Sequence, residues 1–258
     1  MELTTDTKPE IKKQSDSLLA DYDLLSYFFF YPEDNSYNEK IKSIYNHLAA
    51  VIPESAEVMK PYIEYLSNST LQEVQELFLR SFDVQAITTL DIGFILFGED
   101  YKRGQLLVHL NREHREAGNI CYTELSDHLP NVMRLLSKMK NEELRNEIAL
   151  RLVMPAIDKM IGEFDNKKIE KKDEIYKKNL KTIIDFSSNY RTIFQTLLQS
   201  ALIALQKDFG YEYTASQFED AADILKSGNN VSGACQTPHS ESGDFSKNIE
   251  TEMNIEKY

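Results

Sequence analysis

The chain has 258 residues, enough for one large domain or a domain with a tail, and at that length folding hides roughly 70–75% of the unfolded surface without staples. A formal charge of −13 excludes nonspecific binding to nucleic acid or an anionic membrane and points instead to a basic partner. Two cysteines, Cys121 and Cys235, make no disulfide framework, the start at Met1–Asp6 is no secretory signal, and the apolar run Tyr27–Tyr31 falls far short of the roughly 20 residues that span a bilayer. The expectation is a cytoplasmic protein with no membrane insertion.

Only 9 glycines and 7 prolines occur, so the body is poor in turn formers and favours helices. Residues 1–14 are polar and without period, a flexible lead-in. From Ser15, the residues Leu18, Leu19, Tyr22, Leu25, Phe28 and Phe29 recur at helical steps up to Pro32. Tyr37, Ile41, Ile44, Tyr45 and Leu48 predict a second helix ended by Pro53, and a third, shorter one covers Ala56–Leu66. Thr70 and Glu73 form a capping box opening a helix through Val74, Leu77 and Phe78 to about Ser81. The run 87–97 reads as a buried helix or a buried strand, and its helical surroundings favour the helix.

Asp100 predicts the N-cap of a helix carrying Leu106, Leu107, Leu110 and His114 and stopped at Gly118. Ser126 or Asp127 is expected to cap the next, with Pro130 in its first turn. A helix over 142–161 turns Leu144, Ile148, Leu152 and Ile161 inward, and Pro155 should kink or split it. Lys167–Lys178 reads as a charged loop running into a solvated helix start. The clearest apolar stripe, Ile193, Phe194, Leu197, Leu198, Ala201, Leu202 and Leu205, ends at Gly210. A short amphipathic piece covers Phe218–Leu225, and residues 227–258 have the composition of a disordered acidic tail. The reading is an all-α protein: one helical bundle of roughly eight to ten helices over residues 15–226.

Catalytic constellations are not evident. There is no Walker A sequence and no Gly-x-Gly-x-x-Gly. His109 and His114 lie five apart, off the spacing that puts two ligands on one helical face, and with Cys121 and His128 they match no zinc pattern. A Cys121 nucleophile served by His128 has nothing to activate it. The residues predict no catalytic site, no metal and no stably bound cofactor. Among the charged residues, Arg103 reads as a partner for nearby acids, His128 as exposed or bonded to a neighbouring loop, and Asp91 as a solvent-side acid or a buried one with a partner.

Two segments stand out: Phe78-x-x-x-Phe82-Asp83 followed by the apolar run and Gly98-Glu99-Asp100-Tyr101-Lys102-Arg103-Gly104, and Glu124-Leu125-Ser126-Asp127-His128-Leu129-Pro130. Together with Ala117-Gly118 at the helix end, they resemble the nitrate reductase delta subunit family, the assembly chaperones of molybdenum enzymes. The resemblance runs over about residues 70–140. Three departures mark a divergent member: Asp91 stands where the family prefers an aromatic, Tyr101 replaces a common arginine, and Ser126 replaces a proline.

The resemblance implies a chaperone that binds the N-terminal segment of the catalytic subunit of a nitrate reductase-like molybdenum oxidoreductase, nitrite oxidoreductase among the candidates. The client, not the chaperone, carries molybdopterin guanine dinucleotide and iron–sulfur clusters. Phe82, Asp83, Asp91, Arg103, Asp127 and His128 are the client-binding residues so implied. A permanent structural subunit of an oxidoreductase complex is the alternative expectation.

Overall fold

The computed structural model describes residues 18–180 and 190–210. The expected lead-in at 1–14, the helix start at Ser15, the piece at Phe218–Leu225 and the tail at 227–258 lie outside the described residues. Within them the chain is helical, with one isolated antiparallel bridge and no strand. Among the described residues eleven α-helical segments occur, and two are fused by a π-helical turn into one rod, so ten helices stand there where eight to ten were expected over 15–226. Among the described residues no helix is long and apolar enough to cross a membrane.

The first helix is shorter than its periodicity suggests. Asp21 caps α1 (Tyr22–Leu25), which tightens into a 3₁₀ turn at Ser26–Phe29. Residues 18–20 are not helical, because the buried Asp208 accepts the Leu19 and Ala20 amides at 2.7 and 3.0 Å and the Tyr22 hydroxyl at 2.8 Å. Leu19 consequently faces solvent, whereas Tyr22, Phe28 and Phe29 enter the core as expected.

Helix α2 (Ser36–Val51) buries Tyr37, Ile41, Ile44 and Leu48. Helix α3 (Pro53–Asn68) is longer than Ala56–Leu66, because Pro53 occupies the first turn, where its missing N–H costs nothing. Thr70 and Glu73 form the full capping box of α4 (Leu71–Phe82).

The run 87–97 divides: 87–90 is an irregular, bending stretch leading to the bridge residue Asp91, and only α5 (Ile92–Phe97) is helical. Asp100 caps α6 (Tyr101–Glu116) by accepting from the Lys102 amide, and Gly118 takes φ 64° after its end. Neither Ser126 nor Asp127 caps α7 (Leu129–Lys138). His128 holds that position without a side-chain cap, the Ser126 hydroxyl bonds the Leu107 carbonyl, and Asp127 is drawn into the interior.

Ahead of Pro155 the 142–161 rod widens, with α8 (Glu142–Ile148) passing through a π turn at Ala149–Val153 into α9 (Met154–Glu163). The proline has no N–H for the preceding turn, and the wider turn relieves the clash of its ring. The charged stretch is helix α10 (Asn166–Leu180), not a loop. Ile169, Lys172 and Asp173 recur at helical steps and turn inward, Lys172 pairing with Glu163 at 2.8 Å and Asp173 with Arg191.

Helix α11 (Phe194–Phe209) ends at Gly210 in the left-handed conformation. It makes its most extensive packing against α3, where the Ser55 hydroxyl donates to the Ser200 carbonyl at 2.7 Å inside the contact. The buried apolar residues form one cluster, and Phe194 joins Tyr62, Phe78 and Phe82 there in edge-on ring contacts.

Candidate functional site

The non-helical segment 87–91 meets the loop before α7 in a short antiparallel bridge. Ile92 donates to the Asp127 carbonyl at 2.9 Å and Leu129 to the Leu90 carbonyl at 2.8 Å. The two family-like segments are thereby joined, and their charged side chains form one network. Arg103 reaches over from α6, its Nε on Asp127 Oδ2 at 3.0 Å and its Nη2 on Asp91 Oδ2 at 2.8 Å. His128 Nδ1 lies 3.1 Å from Asp91 Oδ1. A carboxylate only accepts, so Nδ1 carries the hydrogen in that bond.

Burial differs along the network. The Asp127 side chain is fully buried and its Oδ1 has no hydrogen-bond partner among the described residues, while that of Asp91 is 26% exposed. Burial pushes the Asp127 carboxyl up, against the bond and charge of Arg103. At Asp91 burial also pushes upward, but His128 and Arg103 together outweigh it and leave the carboxyl below its ordinary range. Gly93 makes the approach possible: a Cβ there would lie 2.6 Å from Asp127 Oδ2.

One edge of this network opens onto a groove of about 1000 Å³. Phe82, Asp83, Asp91 and His128 line it; Arg103 and Asp127 do not, and act from behind. Phe82 is 7% exposed and belongs mainly to the aromatic core. The groove is also lined by Tyr27, Tyr31 and Tyr122 and by the acids Asp23, Glu33, Asp34 and Glu124.

Its two lysine and arginine side chains are engaged internally. Lys40 sits 4.5 Å over the Tyr27 ring, and Arg134 sits over Tyr122 and pairs with Asp23 at 3.3 Å. Glu33, Asp83 and Glu124 are exposed and make no ion pair among the described residues. The surface is therefore aromatic with surplus negative charge, suited to a cationic and partly apolar ligand.

Neither Lys40 nor Arg134 carried a sequence signal, because both gain meaning only from the tyrosine beneath them. Gly93 did carry one, as a lone glycine within an apolar run.

The remaining candidates are structural. His114 Nε2 bonds the Ser126 carbonyl and Nδ1 the Asn119 side chain, both at 2.9 Å, which occupies both ring nitrogens. Burial pushes the Cys121 thiol up, away from the thiolate a nucleophile needs. Among the described residues no three of His, Cys, Asp and Glu gather as metal ligands. No known protein family matches the chain, and comparison with curated proteins finds no match either.

Proposed function

We propose that this protein is a binding protein whose groove holds a basic, partly apolar peptide segment, and that it serves as an assembly chaperone for a molybdenum oxidoreductase catalytic subunit. The observation that carries the binding reading is the groove's balance: aromatic walls, carboxylates at Glu33, Asp83 and Glu124 without an ion pair among the described residues, and cations already held by Tyr27 and Tyr122. The client's identity rests on the resemblance of residues 70–140, whose two segments meet through the Asp91–His128 bridge beside the groove. The client's N-terminal segment is the peptide proposed.

Three apolar anchors at ~2 kcal/mol each and a few charge-assisted bonds are offset by ordering costs of about 2–5 kcal/mol. The net corresponds to micromolar affinity, suited to a partner that must let go. Arg103 and Asp127 act as positioning residues that hold Asp91 and the loop carrying His128 at the groove edge.

Calorimetric titration of the full chain with peptides from the N-termini of molybdenum enzyme catalytic subunits tests this. Micromolar binding that weakens about tenfold in the triple variant Glu33→Lys, Asp83→Lys, Glu124→Lys supports both groove and client. Equal binding by the folded variant overturns the groove assignment, and no binding of any such peptide overturns the chaperone reading.

A further inference from the structure

We propose that the chain's own residues Lys8–Lys13 occupy the groove when no client is present, as an internal stand-in for the client's basic segment. The inference rests on the peptide-binding reading of the groove.

Three observations converge on that segment. The first is charge. In a chain with 42 acidic and 29 basic residues, Lys8-Pro9-Glu10-Ile11-Lys12-Lys13 places three lysines beside one glutamate, with Ile11 as a single apolar anchor. The groove offers the complement, three carboxylates free of ion pairs among the described residues beside tyrosine rings.

The second is tethering. Leu18 lies five positions before Asp23, which lines the groove, and the chain there is pinned where Leu19 and Ala20 donate to Asp208. Five residues from Leu18 back to Lys13 span up to about 17 Å, and the five more to Lys8 double that reach. The segment can therefore lie along the groove without disturbing the bundle.

The third is elimination among occupants. Residues 211–258 also follow Asp208 in the sequence, but nine acidic residues against three lysines give them the same sign of charge as the groove. A second copy of this chain brings its own charge of −13 and meets the same repulsion.

Tethering makes a weak contact sufficient. A short linker presents the segment at an effective concentration in the millimolar range, so an interaction too weak to detect between separate molecules still fills the site. A client must then compete with a covalently attached rival, which screens out weakly binding basic peptides and sets a threshold for engagement.

Cys121 lines the groove, partly buried, and gives a native reporter. With Cys235→Ser as background in the full chain, the iodoacetamide alkylation rate of Cys121 is compared with that of the same protein carrying Lys8→Glu, Lys12→Glu and Lys13→Glu. Displacement of the segment should speed alkylation about fivefold at low salt. Added salt should raise the wild-type rate toward that of the variant and leave the variant unchanged. Equal rates at low salt, with matching melting curves, overturn the proposal.

The basic client peptide separates this outcome from the function it rests on. If the peptide binds both proteins equally while Cys121 rates stay equal, self-occupancy fails and the groove reading stands. If Cys121 is released in the variant but no peptide binds either protein, the client reading fails and self-occupancy stands.

Discussion

Removing the Arg103 guanidinium should expose how far the network depends on it. Arg103→Ala leaves Asp127 as a fully buried carboxylate with no cation among the described residues, its Oδ1 already without a partner there. Breaking a buried pair in this way costs about 3–5 kcal/mol. The Asp91 limb is partly solvated and adds no more than about 1 kcal/mol. A total near 4 kcal/mol corresponds to a fall in melting temperature of about 10 °C for a domain of this size.

Asp127→Asn removes the stranded charge. In that background Arg103→Ala should cost less, leaving a coupling of about 2 kcal/mol between the two positions. Urea unfolding followed by circular dichroism measures the cycle, provided the slope stays constant across the four proteins. The loss in Arg103→Ala should also shrink in acid. Burial holds the Asp127 carboxyl above its ordinary value of about 3.8, so its contribution is full below that value and declines as pH rises through the raised one. Additive effects within about 0.5 kcal/mol would refute the reasoning.

Gly93→Ala should lower stability by about 1–2 kcal/mol, because crowding of Asp127 and Leu106 outweighs the helix preference of alanine; a thermal melt equal to or above wild type would contradict it. Asp208→Ala should cost about 3 kcal/mol by stranding the Leu19 and Ala20 amides and the Tyr22 hydroxyl, with faster hydrogen exchange at both amides as the measured sign. Asp91→Asn should be less stable than wild type at neutral pH. The gap is complete above the ordinary carboxyl value of about 3.8 and closes as pH falls through the lowered value of Asp91, as unfolding across pH 2–7 would show.

Local signals read well from residues alone. The capping box at Thr70 and Glu73, the Asp100 cap and the Gly210 stop each need only neighbours within four positions. Asp127 was misread for the opposite reason. Its position before a helix suits a cap, but the bridge to residues 90–92 turns it toward Arg103, which lies 24 positions away in sequence. Helix α10 was hidden because its inward stripe includes Lys172 and Asp173, whose partners Glu163 and Arg191 come from other parts of the chain. The groove itself was legible only in pieces. Its acids were visible as composition, but their freedom from ion pairs depends on where Lys40 and Arg134 come to rest.

The pairing of α3 with α11 also has a consequence in time. About 125 residues separate the end of α3 from the start of α11, and at roughly 5–20 residues per second a ribosome takes some 6–25 s to make them. Throughout that interval the face of α3 carrying Ser55, Met59 and Tyr62 has no lasting cover. The nascent chain therefore presents an adhesive apolar stripe to its surroundings until α11 emerges, and completion of this helix pair is gated by translation more than by the search for contacts.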